Sequence, residues 1–231
     1  MIEWSAEAGR DKLNSPELKL TQATLDMPNA LRKILHRWQY GREVIIVSGL
    51  PRSGTSMMMK MLEAGGLEVM TDNERHADID NPKGYFEFEA VKNLEIDPDK
   101  SWVRKARGKV LKVISHLLRE LPADNSYRIL FMRRNLDEVI ASQNKMLDHR
   151  GESNPVEDKK AKELFRKHII NTKVLVRTRP NLEMMEVRYT DVLEQPEVFA
   201  QRVNEFLGHV LDSSRMASVV DRQLYRNRVE T

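Results

Sequence analysis

The chain has 231 residues, of which 40% are hydrophobic and 32% are charged, with a formal net charge of +3 and no cysteine. This composition is typical of a globular protein, and it excludes a disordered chain, disulfides and thiolate metal sites. The mild basic excess suits an anionic small ligand and is too scattered to favour nucleic acid. No apolar run is long enough to span a membrane and no signal-peptide pattern is found, so the sequence predicts a cytoplasmic protein.

Short β-branched runs alternate with helical patterns along the chain. Strands are predicted at 43–48, 67–70, 109–114, 128–132 and 184–189. Helices are predicted from Gly54 to Gly65, from a cap at Asn135, over 161–175, and from Pro196 to Gly208. The segments 71–84 and 149–160 are predicted to be loops. We therefore expect an α/β fold, a three-layer sandwich with a central mostly parallel sheet like that of P-loop NTPases.

No repeat or linker divides the chain. Residues 1–231 are accordingly predicted to form a single domain, in which residues 1–27 show the weakest secondary-structure pattern.

The segment 49–56 (GLPRSGTS) joins a predicted buried strand directly to a predicted helix. Its two glycines let the backbone curl so that successive N–H groups point inward, and the helix N-terminus adds partial positive charge. An ordinary strand-to-helix turn is the alternative. The context favours a phosphate-cradling loop.

This loop differs from the loop of ATP-dependent enzymes. Those enzymes place Lys before the last Ser or Thr of the motif, whereas here that position is Thr55 and the cation is Arg52. The strand at 128–132 ends in Arg133 and Arg134 rather than in an Asp that would hold a metal ion. Metal-dependent phosphoryl transfer is therefore disfavoured, and no metal site is predicted.

A second anion site is suggested by Arg134 and Ser142, eight residues apart, since a guanidinium and a hydroxyl can together hold a phosphate monoester. Taken alone, the pair is better explained as a solvated strand end and an exposed helix residue.

Several motifs resemble those of the sulfotransferase family. PRSGTS at 51–56 is similar to the family's 5′-phosphosulfate loop, and RRNLDEVIAS at 133–142 is similar to its 3′-phosphate motif. EVRYTDVLEQPEVFAQRVNEFLG at 186–208 is similar to a later strand and helix of the family, and KVLKVISHLLRELP is more weakly similar to a segment of its cytosolic branch. These matches occur in the family's order over most of the chain.

The resemblance implies that the donor substrate is 3′-phosphoadenosine 5′-phosphosulfate (PAPS), with 3′-phosphoadenosine 5′-phosphate (PAP) as product. It places the 5′-phosphosulfate on Arg52, Ser53, Gly54, Thr55 and Ser56, the 3′-phosphate on Arg134 and Ser142, and the adenine at Tyr189.

Two departures from the family pattern concern the nucleotide. Met57 stands where an aromatic residue often closes the loop, and the family's C-terminal basic segment over the 3′-phosphate is missing. Arg222, Arg226 and Arg228 are candidates to replace that segment, and a solvated basic tail is an equal alternative.

The expected reaction is an in-line displacement in which negative charge grows on the leaving oxygen. Arg52 is the predicted cation at that oxygen, with Lys112 as a second. Three candidates remain for the general base: His116, Glu87 and Glu74.

Two other functions stay open: a P-loop kinase of a small metabolite and a non-catalytic nucleotide-binding protein. The acceptor, expected to be a small molecule or a carbohydrate, and the oligomeric state do not follow from the sequence.

Overall fold

The computed structural model describes residues 31, 38–72, 86–152 and 156–222. The chain divides into two compact units, residues 1–41 and residues 42–231. In the first unit, residues 31 and 38–40 are helical. All strands and helices named below belong to the second unit, and the single domain predicted for the whole chain stays a prediction.

The second unit is built on a four-stranded sheet in which every pairing is parallel. Its strands are β1 (Val44–Gly49), β2 (Val110–Lys112), β3 (Tyr127–Arg133) and β4 (Leu182–Arg188), in the order β2-β1-β3-β4. The strand predicted at 67–70 is wrong, because this segment contributes only one bridge, from Val69 to Val110. Because β2 has only three residues, it offers few backbone hydrogen-bonding positions to which the segment at 67–70 could pair as a strand.

Helices follow the strands as the alternating pattern predicts. They are α1 (Thr55–Ala64), α2 (Glu89–Lys92), α3 (Leu136–His149), α4 (Asp158–Thr178), α5 (Tyr189–Glu194), α6 (Pro196–Leu207) and α7 (Ser213–Ser218). Two 3₁₀ helices cover Ser101–Ala106 and Ser115–Glu120. The predicted cap at Asn135 is confirmed, because its side-chain oxygen accepts a hydrogen bond from the Asp137 backbone N–H at 2.9 Å.

Alternate residues of each strand enter two different cores. Along β3, Ile129 and Phe131 pack with residues of α3, α4 and the 3₁₀ helices, whereas Leu130 and Met132 pack with α1, α5, α6 and α7. This alternation follows from the two-residue period of a strand. It confirms the α/β prediction of a parallel sheet covered by helices on both faces.

The strand register sets the position of the candidate site. Because β1 and β3 are adjacent and parallel, with Gly49 opposite Met132, the loop after β1 lies beside the residues that follow β3. Carboxyl ends of adjacent parallel strands are where open α/β sheets bind ligands. No helix in the described part of the chain is long and apolar enough to cross a membrane.

Candidate functional site

The loop after β1 is too tight to accept a side chain at its first glycine. Gly49 has φ 150°, and a Cβ built there would lie 2.5 Å from Ser53 Oγ and 2.7 Å from the Met132 carbonyl oxygen. The Ser53 hydroxyl, buried in the turn, donates to the Leu50 carbonyl at 2.7 Å. Ser53, predicted to hold phosphosulfate with its neighbours, therefore uses its hydroxyl to close the loop.

Gly54 begins helix α1 in the left-handed conformation, with φ 97°. Among the described residues, no side-chain hydrogen bond caps the start of this helix, whose N-terminus carries partial positive charge. The Lys112 Nζ lies 3.4 Å from Ser56 Oγ. The structure thus brings Lys112, from the end of β2, to the first turn of α1. The positive end of the helix and the Lys112 cation together favour an anion at this position.

Arg52 lies in the middle of the loop, and its backbone is also left-handed, with φ 66°. Its Nε donates a hydrogen bond of 2.9 Å to the hydroxyl of Ser142, a buried residue on α3. The alternative in which Ser142 is an exposed helix residue is therefore wrong. The two motifs that the sequence places 90 residues apart are in direct contact.

Arg134, which directly follows β3, is buried rather than solvated, with 8% of its side chain exposed. Its guanidinium donates to Glu138 at 2.8 Å and to the backbone carbonyl of Arg52 at 3.2 Å. Glu138 lies one helical turn further on and is 3% exposed. Sequence reasoning missed the pairing role of Glu138, although the Arg–Glu spacing of four residues is a known signal for such pairs.

Tyr189, the predicted adenine contact, is 5% exposed. Its ring lies under the Arg134 guanidinium, 4.9 Å from the ring centroid, and a Cβ on Gly54 would collide with the same ring. Burial raises the pKa of the Tyr189 hydroxyl, an effect that Arg134 partly offsets. Tyr189 therefore packs between the start of α1 and Arg134, a role that the sequence alone did not indicate.

The three candidates for the general base lie in different environments. His116 is exposed on the 3₁₀ helix that follows β2. Glu87 is 23% exposed and forms an ion pair of 3.5 Å with Lys92. Glu74 lies outside the described residues.

Of the C-terminal arginines, Arg226 and Arg228 also lie outside the described residues. Arg222 donates to the carbonyl oxygens of Leu193 at 2.8 Å and of Glu194 at 3.1 Å. It therefore binds the last carbonyls of α5. Among the described residues, no cluster of carboxylate and imidazole side chains of the kind that holds a metal ion is found.

Comparison with known proteins identifies one family over most of the chain. The family model described as the sulfotransferase domain matches residues 42–228. No curated protein matches the chain at a significant level.

Solved structures are similar at low sequence identity. A sulfotransferase domain of the Synechococcus PCC 7002 olefin synthase has 18% identity and a TM-score of 0.47, covering 82% of this chain and 84% of that one. A sulfotransferase domain of the curacin biosynthetic pathway has 16% identity and a TM-score of 0.43, covering 78% and 83%. A sugar kinase from Janibacter has 11% identity and a TM-score of 0.33, covering 78% and 99%. Because all three TM-scores are below 0.5, these structures do not bear on the substrates of this chain.

Proposed function

Since the chain belongs to the sulfotransferase domain family, an enzyme family of sulfuryl transfer, we propose that its donor is PAPS and its acceptor is a hydroxyl or amine of a small molecule or carbohydrate. A cytoplasmic location is part of this proposal, as the sequence predicts.

The observation that carries the proposal is the contact between the loop after β1 and the β3–α3 motif. Arg52 binds the Ser142 hydroxyl through its side chain and the Arg134 guanidinium through its backbone carbonyl. The two groups of residues proposed to bind the nucleotide's phosphates thus lie side by side at the carboxyl edge of the sheet. A nucleotide that carries phosphate at both its 3′ and 5′ positions fits such an arrangement better than a singly phosphorylated one.

The residues around the first turn of α1 suit the chemistry of sulfuryl transfer. The acceptor oxygen or nitrogen forms a new bond to sulfur while the bond from sulfur to the 5′-phosphate oxygen breaks, and the electron pair of that bond stays on the phosphate. The N–H groups of Thr55 and Ser56 and the cations of Arg52 and Lys112 would stabilise the charge that grows there.

The acceptor must lose a proton in the same reaction. His116, Glu87 and Glu74 remain the candidates to receive it. A base contributes about 10²–10⁴-fold to such a rate. We therefore expect one of the variants His116→Ala, Glu87→Gln and Glu74→Gln to lose turnover on this scale and to keep its affinity for PAP.

Thermal stabilisation by PAP tests the donor assignment, with AMP and ATP plus Mg²⁺ as the comparison ligands. A ligand at about 100 times its Kd stabilises the native state by about 2.7 kcal/mol. We expect this stabilisation with PAP and a much smaller one with AMP. Ser142→Ala should reduce the response to PAP, whereas Ser214→Ala, an exposed serine on α7, should not.

Two results would contradict the proposal. Stabilisation by ATP with Mg²⁺ and none by PAP would favour the kinase alternative. Tight binding of PAP without sulfuryl transfer to any of a panel of sugars, phenols and amines would favour the non-catalytic alternative.

A further inference from the structure

A basic cleft of about 550 Å³ lies beside β3, between the first turn of α3 and the helix α4. Five cationic side chains line it: Arg133, Arg134, Lys162, Arg166 and Lys173. Ile169 and Ile170 supply an apolar wall, and Asp137 is the one carboxylate among its lining residues. None of the motifs that resemble the donor site includes the residues contributed by α4.

The carboxylates around this cleft do not balance its cations. Asp137 binds Lys162, and Glu186 on β4 binds both Arg133 at 2.7 Å and Lys173 at 2.6 Å. Burial tends to raise the pKa of Glu186, but Lys173 and Arg133 together hold it below its usual value, so this carboxyl is ionised at neutral pH.

The excess charge of the cleft can be located. Within the described part of the chain, with Glu138 paired to Arg134, five cations face three carboxylates, an excess of two positive charges. One excess charge is on Arg166, which within the described residues makes no hydrogen bond or ion pair. The other is shared by Arg133 and Lys173, because these two cations have a single carboxylate between them.

We propose that this cleft binds the dianionic group of a phosphate monoester whose organic part contacts Ile169 and Ile170. Arg166, Arg133 and Lys173 donate the hydrogen bonds to the phosphate oxygens. A phosphate monoester carries close to two negative charges above its second pKa of about 6. A sulfate monoester carries only one, so the charge excess favours the phosphate.

The cleft lies mainly on the other face of the sheet from the donor loop, although the consecutive residues Arg133 and Arg134 both line it and Arg134 also contacts the donor loop. Arg133 pairs with Glu186, whose strand position is opposite Phe131 on the α3–α4 side of the sheet. Arg134 contacts the backbone of Arg52 and the ring of Tyr189. Because successive side chains of a strand point to opposite faces, an anion held by Arg133 and α4 lies on the face of the sheet opposite α1.

Calorimetric titration with phenyl phosphate at pH 8 and low ionic strength tests the proposal, with phenyl sulfate as the singly charged analogue. We expect one phenyl phosphate per chain and markedly weaker binding of phenyl sulfate. Arg166→Gln should weaken phenyl phosphate binding by about tenfold or more, the scale for a hydrogen bond between charged groups. Lys167→Gln, the adjacent exposed cation of α4 that does not line the cleft, should leave it unchanged.

The donor loop could bind the same probe, so its contribution is tested with Arg52→Ala. Binding in the cleft predicts that Arg52→Ala retains phenyl phosphate binding while Arg166→Gln and Lys173→Gln lose it. The proposal is overturned if Arg166→Gln binds as tightly as the wild type, if Lys167→Gln is weakened to the same extent, or if phenyl sulfate binds equally well. Arg166 is exposed and without partners among the described residues, so its replacement does not endanger the fold.

Discussion

Replacing Arg134 by methionine separates the structural role of this residue from its predicted role in binding the donor. Arg134 and Glu138 form an ion pair of 2.8 Å in which the two side chains are 8% and 3% exposed. Methionine keeps much of the length of the side chain and removes the guanidinium. Glu138 then keeps its charge in a buried position and loses its Arg134 partner.

The cost of this change follows from the burial of the pair. Removing one member of a buried ion pair typically destabilises a protein by about 3–5 kcal/mol, whereas replacing both members by apolar groups is often neutral or stabilising. We therefore expect Arg134→Met to lower the free energy of unfolding by about 3–5 kcal/mol. The double variant Arg134→Met/Glu138→Leu should recover most of that loss.

Urea denaturation, read by circular dichroism, measures these differences. An exposed ion pair provides the control: Arg104 and Asp124 are 2.5 Å apart, with side chains 59% and 45% exposed. Arg104→Met should cost less than about 1 kcal/mol. If Arg134→Met cost no more than Arg104→Met, or if the double variant were as unstable as the single one, Arg134 and Glu138 would not form a mutually dependent buried pair. Loss of PAP binding in an Arg134 variant can be interpreted only after this comparison.

Three further changes have expected outcomes. In urea denaturation, Gly54→Ala should destabilise the protein by more than Gly66→Ala. Both glycines have left-handed backbones, which cost an L-residue about 1–2 kcal/mol, but only at Gly54 does the added Cβ meet the Tyr189 ring. Equal costs would contradict this packing. Burial lowers the pKa of His168. Below about pH 6.5 the unfolded chain therefore binds a proton that the folded protein does not, and the free energy of unfolding should decrease as the pH falls. That fall should be smaller in His168→Gln, and an identical pH dependence would show that this residue is not responsible. Lys112→Met should lower kcat for sulfuryl transfer by about 100-fold and change PAP affinity far less, and equal losses in both would show that Lys112 acts only in binding.

Much of the fold could be predicted from the sequence because its strands are apolar runs with strong boundaries. The runs predicted at 43–48, 128–132 and 184–189 correspond to β1, β3 and β4 within two residues. The segment 67–70 has the same kind of composition and still forms only one bridge. Composition shows that a run can form a strand, but whether a neighbour is long enough to pair with it is decided by the tertiary structure.

The candidate site was less predictable than the fold, for a physical reason. The loop at 49–54 depends on glycines and a following helix, which are local in sequence. The partners of its residues are distant: Arg52 binds Ser142, and Gly54 packs against Tyr189. A motif shows which residue types are present, whereas burial and ion pairing determine which of their atoms a ligand can reach.

The two consecutive arginines at the end of β3 illustrate this difference. In the sequence, the predicted strand at 128–132 is followed by two consecutive cations, Arg133 and Arg134, which alone suggests that both contact one anion. In the structure β3 ends at Arg133, which pairs with Glu186 in the basic cleft, whereas Arg134, which also lines the cleft, pairs with Glu138 and contacts the donor loop. Their functions should therefore be separable. Arg133→Gln is expected to weaken phenyl phosphate binding and to leave PAP affinity within about twofold of the wild type, since Arg133 lies on the opposite face of the sheet from α1 and its charge is paired with Glu186. A parallel loss of both affinities in calorimetric titrations would show that the two arginines serve a single anion site.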